Sequence, residues 1–239
     1  MEIKRVAVIG AGFMGSGIAQ VAAQAGYSVS LIDLTEERLS FARASIEWSL
    51  SKLEGKQVLD AAASIVSERI ETSADYAAAH DADLAIEAVY EDVDTKLRAI
   101  ATLDGICRAD AIIGSNTSTI PITKLATAST RPERVIGIHF FGPVPLMRLV
   151  EIIPNPNTSQ ETIDATFAFG RAVGKSPILV KRDVPGFLMN RIFGAMACEA
   201  IRLVEDGTGT IEDIDRGMCD GFNLRVGPLC IADLAGLDI

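Results

Sequence analysis

Short aliphatic runs recur along the chain at residues 6–9, 29–32, 84–89, 111–114, 135–139, 149–153 and 178–180, separated by longer stretches with helical spacing of apolar positions. Runs that are apolar at successive positions, rather than alternating, belong to strands buried on both faces. Their alternation with helical segments predicts an α/β fold: a doubly wound, Rossmann-type, mostly parallel sheet covered by helices on both sides. Between the second and third runs a helical stretch extends from Thr35 to about Leu53 and resumes after Gly55 to Val66. That is longer than a crossover needs, and it predicts a helical hairpin insertion projecting from the sheet. After Asp183-Val184-Pro185-Gly186 the pattern turns wholly helical to about Glu205, with Gly207 as a stop and Thr210 as a cap for a further helix. The expected division is therefore a Rossmann-type α/β domain over 1–183 and the start of an all-α domain over 184–239. The apolar end, Leu234-Ala235-Gly236-Leu237-Asp238-Ile239, carries no polar tail, which gives the expectation that this helical domain is incomplete.

The first predicted strand leads directly into Gly10-Ala11-Gly12-Phe13-Met14-Gly15, and the second ends in Asp33. Glycines at this spacing allow a tight turn, close approach of a pyrophosphate and close packing of the following helix, whose N-terminal N–H groups face the anion. A glycine-rich turn by itself is a weak signal. Its place between a β-branched strand and an alanine-rich helix, with an acid at the end of the next strand, is what makes it specific. Asp33 suits the hydroxyls of an adenosine ribose and repels a 2′-phosphate, so NAD is favoured over NADP, although Arg38 lies a few residues on.

Composition narrows the partners. The 239 residues are 49% hydrophobic, 23% charged and 5% aromatic, which describes a globular chain with an aliphatic core. A net charge of −10 argues against nucleic acid or an anionic membrane as a partner, and any anionic substrate must meet locally basic residues. Cys107, Cys198, Cys219 and Cys230 are too widely spaced for a metal site or a disulfide framework, which favours a reduced, cytoplasmic setting. Residues 6–26 are nearly all apolar, yet they contain Gly10, Gly12, Gly15, Gly17 and Gly26 and read as a buried strand-turn-helix rather than a membrane span. With the first strand starting by Ile3, no cleavable presequence is expected.

Of the two histidines, His80 sits in a polar loop and carries no expectation of chemistry. His139 closes a predicted strand, where ligands of doubly wound sheets bind, and is followed by the stiff turn Phe140-Phe141-Gly142-Pro143-Val144-Pro145. A hydrogen-bonded core histidine is the alternative. Glu151 is a carboxylate on an otherwise apolar strand and needs a partner: His139 if the two strands are neighbours, or Arg148 or Arg171 otherwise. A histidine held by a glutamate is suited to act as a general base. Ser115-Asn116-Thr117-Ser118 follows another buried strand, and Asn190 lies one helical turn after Pro185-Gly186-Phe187.

Five stretches in order, namely the glycine turn continuing through Gly17-Ile18-Ala19-Gln20, Ile86-Glu87-Ala88-Val89-Tyr90-Glu91, Ser115-Asn116-Thr117-Ser118, residues 139–145 and residues 183–191, resemble the short-chain L-3-hydroxyacyl-CoA dehydrogenase family, the 3-hydroxybutyryl-CoA dehydrogenase group included. The resemblance spans the chain. It implies NAD-dependent, reversible oxidation of an (S)-3-hydroxyacyl-CoA to the 3-oxoacyl-CoA, with His139 as catalytic base, Glu151 as its partner, and Ser118 and Asn190 positioning the substrate. It implies cofactor contacts from Gly10, Ala11, Gly12, Phe13, Met14, Gly15, Asp33, Glu91, Lys96 and Ser118, coenzyme A contacts from Ser49, Lys56 and Ser118, no metal, and a homodimer for the full-length chain. One position departs from the family pattern: Gly142 stands where an asparagine is usual, so an amide expected near the reacting centre is missing. Two other readings stay open on the residues alone: a related dehydrogenase of a free hydroxy acid or sugar acid, and a non-catalytic, crystallin-like NAD-binding relative.

Overall fold

The computed structural model describes residues 2–236; Leu237-Asp238-Ile239, the last part of the apolar end, lies outside the described residues. The chain divides into two compact units between Pro185 and Gly186.

In the first unit eight strands form one sheet in the order β3-β2-β1-β4-β5-β6-β7-β8. They are β1 (Arg5–Ile9), β2 (Ser28–Ile32), β3 (Ile70–Ser73), β4 (Leu84–Glu87), β5 (Ile112–Ser115), β6 (Val135–Phe140), β7 (Leu149–Pro154) and β8 (Ser176–Leu179). Every neighbouring pair is parallel except β6 with β7, which run antiparallel. The order reverses between β1 and β4, so the loops leaving their carboxyl ends part and open a crevice, the usual ligand position in such sheets. The central strands β4, β5 and β6 are buried at every residue, as their unbroken apolar runs require.

Strand β3 has no counterpart in the sequence pattern. Ile70-Glu71-Thr72-Ser73 lies at the sheet edge and buries only Ile70 fully, so its polar composition hides it. Strand β8, at the other edge, begins at Ser176 and contains Pro177, a residue tolerated on edges because it needs no ladder donor there.

Helix α1 (Phe13–Gln24) follows the glycine turn, and α2 (Glu36–Gly55) follows β2. Thr35 caps α2 by accepting from the Arg38 N–H, and its line of Leu39, Ala42, Ile46 and Leu50 joins the main core. The helix ends where Gln57 turns left-handed, with the Val58 N–H reaching Leu53 O and the Gln57 N–H reaching Glu54 O, a Schellman closure. The second arm of the insertion, α3 (Ala63–Glu68), is therefore much shorter than the pattern suggested. Helices α4 (Val93–Ile106), α5 (Ile122–Leu125) and α6 (Gln160–Ala172) complete the unit.

The second unit holds α7 (Met189–Glu205), α8 (Ile211–Phe222) and α9 (Pro228–Ala235). Thr210 caps α8, and Asp215 accepts from the N–H groups of Leu229 and Cys230 at the start of α9, 2.9 Å from each. Helix α7 begins two residues later than the apolar pattern because Phe187 sits at a φ of 48°. Among the described residues no helix is long and apolar enough to cross a membrane, and no group of three or more His, Cys, Asp or Glu side chains is placed to hold a metal ion.

Asp104, on α4, ties that helix to the chain entering β6. It accepts from Ser129 Oγ, from the N–H and Oγ1 of Thr130 and from the Arg131 guanidinium. Burial would raise its pKa, but these four donors outweigh burial and lower it from 3.8 to about 2. A folded-state pKa below the unfolded one stabilises above the unfolded value and is lost as pH falls through the folded value. Asp104 therefore contributes about 2–3 kcal/mol at neutral pH that disappears between about pH 4 and pH 2. Urea unfolding of Asp104→Asn at pH values from about 7 down to about 2 should show lower stability at neutral pH and a flatter acid slope than wild type.

Candidate active site

The site is built at the carboxyl ends of the strands. Gly10, directly after β1, has a φ of +101°, and a Cβ there would lie 2.5 Å from the Ala88 carbonyl oxygen leaving β4. At Gly15 a Cβ would fall 1.7 Å from the Gly10 oxygen, so only glycine lets α1 close onto the turn. A Cβ on Gly12, by contrast, meets nothing within 4 Å, which leaves open room in front of the N-terminus of α1. That opening, with the helix N–H groups behind it, fits a pyrophosphate.

Asp33, just after β2, accepts from the Ala11 and Leu34 N–H groups at 2.7 Å each, and the Arg38 guanidinium lies 3.7 Å from its Oδ1. The carboxylate thus fixes the glycine turn. Each of its oxygens keeps a second lone pair for a ribose hydroxyl. Phe13 and Met14 follow on α1, with Phe13 70% exposed.

The end of β4 carries a residue that sequence reasoning passed over, the fully buried Glu87. Lys96 on α4, only 1% exposed, donates to both Glu87 oxygens (3.1 and 2.9 Å) and to the Val89 carbonyl, and its Nζ lies 3.2 Å from Glu91. Ser115 Oγ, at the end of β5, also donates to Glu87. Glu91 Oε1 in turn accepts from Thr117 Oγ1 and from the N–H groups of Ser118 (3.0 Å) and Thr119 (3.2 Å). Burial pushes the Glu87 carboxyl up against the pull of Lys96. At Glu91 burial acts the same way but is outweighed by the Lys96 charge and the hydrogen bonds, so its pKa lies below the usual carboxylate range. Lys96, placed by the resemblance among cofactor contacts, directs its ammonium to Glu87, Glu91 and the Val89 carbonyl.

His139 and Glu151 are the second centre. The β6–β7 register sets them directly opposite each other, and His139 Nδ1 lies 2.8 Å from Glu151 Oε2. His139 is 5% exposed, and its ring packs against Phe141 at 4.5 Å between centroids. Asn116 Oδ1 accepts from the Phe140 N–H at 2.9 Å, so the chain after β5 anchors the end of β6. The following loop is pinned too. Lys175 Nζ donates to the carbonyls of Val144 and, at 2.9 Å, Met147, and burial lowers its pKa. A Cβ on Gly17 of α1 would come within 2.8 Å of Val144, and one on Gly142 within 2.5 Å of the Phe13 ring. Gly142 is thus matched to Phe13: an asparagine at 142 needs that ring to move.

Ser118 is brought to Glu91. Ser49 lies half-buried on α2, and exposed Lys56 caps its C-terminus; Asn190 lies half-buried on α7 in the second unit. His80 is exposed, with Nδ1 2.9 Å from Asp81 Oδ1. Glu87, at the end of an apolar strand, was open to the reasoning that found Glu151, a carboxylate inside one. Lys175 had no such signal.

Strand, glycine turn, helix and acid-ended strand define a dinucleotide-binding domain of the dehydrogenase class. Comparison with known proteins agrees: residues 5–184 match the family model "3-hydroxyacyl-CoA dehydrogenase, NAD binding domain", and residues 186–239 match that of its C-terminal domain. The chain belongs to the 3-hydroxyacyl-CoA dehydrogenase family. It is 46% identical over 231 residues to a probable 3-hydroxybutyryl-CoA dehydrogenase of Deinococcus radiodurans, covering 97% of this chain and 83% of that protein. It is 43% identical over 243 residues to the human mitochondrial hydroxyacyl-coenzyme A dehydrogenase, covering 99% and 77%. The crystal structure of (S)-3-hydroxybutyryl-CoA dehydrogenase from Ralstonia eutropha superposes with a TM-score of 0.95 at 41% identity, covering 99% of this chain and 84% of that one.

Removing Lys96 should test the buried network directly. Lys96→Met leaves Glu87 sealed without a cation and should lower unfolding free energy by about 3–5 kcal/mol. The double variant with Glu87→Gln should recover part of that loss in urea titrations.

Proposed function

We propose that this chain oxidises an (S)-3-hydroxyacyl-CoA to the 3-oxoacyl-CoA, reversibly, with NAD as the electron acceptor. The observation that carries the reading is the His139–Glu151 pair, set by strand register in the same sheet whose β1 and β2 ends form the nucleotide turn. Bound at residues 10–15 and Asp33, NAD supplies the hydride acceptor. His139 takes the proton of the 3-hydroxyl: Glu151 holds Nδ1, which directs Nε2 to the substrate and stabilises the imidazolium. The hydroxyl proton leaves to His139 as the hydride leaves carbon 3, so the carbon–oxygen double bond forms without net charge on the substrate. In the reverse direction the imidazolium returns the proton.

Ser118, its backbone fixed by Glu91, is proposed to orient the substrate's oxygen, Asn190 is proposed as a substrate-positioning residue of the second unit, and Ser49 and Lys56 are proposed to meet coenzyme A. A homodimer belongs to the same reading, supported by the exposed Ile192, Phe222 and Leu234 of the second unit. A cytoplasmic location is proposed with it on the four free cysteines.

The test is oxidation of NADH driven by acetoacetyl-CoA. His139→Ala should lower turnover by about 10²–10⁴-fold while NADH still binds, as judged by NADH fluorescence. Undiminished turnover in that variant would remove His139 from the mechanism. Turnover of a free 3-oxo acid equal to that of its CoA thioester would move the assignment to a dehydrogenase of free acids.

A further inference from the structure

Lys175 is a buried cation that the reaction above leaves unused. It is 9% exposed, and its Nζ donates to the carbonyls of Val144 and Met147; among the described residues it has no carboxylate partner. Its backbone is fixed on both sides. Left-handed Gly174 ends α6 with its N–H on Arg171 O at 3.0 Å, and the Lys175 N–H reaches Gly170 O at 2.9 Å, a Schellman closure. The Ser176 N–H then bonds Arg148 O at 2.6 Å, where β8 begins to pair with β7. The ammonium is therefore delivered from a rigid point.

Its acceptors lie in the loop 141–148, which joins the strand of His139 to the strand of Glu151. Of the side chains in that loop Val144 alone is buried, and Leu146 and Met147 are 67% and 44% exposed, so apolar burial holds little of it. The N–H groups of Leu146 and Met147 both reach Pro143 O, at 2.9 and 3.0 Å, and the Val144 and Met147 carbonyls of the turn so formed converge on Lys175 Nζ. The start of the loop touches both halves of the site: the Phe141 ring packs on the His139 ring, and a Cβ at Gly142 would meet Phe13 of α1. Val144 seats against Gly17 on the same helix. A desolvated cation without a counter-charge costs stability that an apolar side chain would not. What the ammonium supplies is a fixed shape for the loop.

We propose that Lys175 is a positioning residue of the dehydrogenase: by drawing the Val144 and Met147 carbonyls together it seats the 141–148 loop on α1 and so keeps the His139 imidazole aligned with a cofactor held at the glycine turn. The inference rests on the dehydrogenase reading above, and Lys175 acts on the base through the loop, not on the reacting atoms.

Lys175→Met keeps the apolar stem and removes the donors. In that variant the Leu146 and Met147 amides, followed by NMR, should exchange with deuterium about tenfold faster or more. In NADH oxidation driven by acetoacetyl-CoA, kcat should fall about 10- to 100-fold, while KM for acetoacetyl-CoA and the affinity for NADH stay within about twofold. Because the effect runs through His139, adding Lys175→Met to His139→Ala should lower the residual rate by no more than about twofold. Gly17→Ala, whose new methyl would lie 2.8 Å from Val144, displaces the same loop from the helix side and should reproduce the loss of kcat even where Lys175→Met fails to fold.

Amide exchange at the wild-type rate, an unaltered kcat in either folded variant, or a Lys175→Met loss of the same size with and without His139 overturns the positioning role and leaves the dehydrogenase assignment standing. Failure of the wild type to turn over acetoacetyl-CoA overturns that assignment instead, and the exchange rates then decide the loop clamp by themselves.

Discussion

One ammonium group, Lys96 Nζ, joins the parts of the first unit that meet at the crevice. It reaches the end of β4 through Glu87, the turn after β4 through the Val89 carbonyl, and the loop beyond β5 through Glu91. Burying an ion pair is costly, and attraction offsets that cost only when the remaining donors and acceptors are matched. Here they are: Ser115 adds a donor to Glu87, and Thr117, Ser118 and Thr119 add theirs to Glu91. An apolar side chain of equal volume in place of Lys96 could fill the space, yet it would leave Glu87 and Glu91 without their shared cation, and Glu91 is the acceptor that holds the Ser118 and Thr119 N–H groups.

Much of this fold is legible in the sequence, for a simple reason. Strands buried on both faces must be apolar throughout, so β1, β4, β5, β6 and β7 announce themselves, as does the acid-ended β2. Ile70-Glu71-Thr72-Ser73 does not, because an edge strand with one buried side chain has the composition of a loop. Strand direction is invisible as well: 135–139 and 149–153 look like any other apolar runs, and only pairing shows that β6 and β7 oppose each other. In the site, His139 and Glu151 stand out as polar residues in apolar surroundings. Lys96 does not, since a lysine on an amphipathic helix reads as a surface residue until the helix is docked. Lys175 is equally silent, its ammonium directed onto carbonyls of a loop some thirty residues away, by sequence separations of 31 and 28.

Gly142 shows how a departure from a family pattern acquires a physical account. The space that a side chain at 142 would enter is taken by the ring of Phe13, and Val144 similarly occupies the space above Gly17. The loop after His139 therefore packs against the helix that starts at the glycine turn, so the choice of residue at 142 is coupled to the choice at 13. Moving either alone changes how the loop after His139 and the glycine turn meet.

The antiparallel pairing of β6 and β7 has a consequence for how this site is specified. His139 and Glu151 face one another because of ladder register, and a slip of one residue would turn either side chain to the opposite face of the sheet. Their separation of twelve positions along the chain belongs to the connecting loop and not to the chemistry. The dyad is therefore defined by which positions of two antiparallel strands pair, while the length of the loop between them answers to its own packing against Phe13, Gly17 and Lys175.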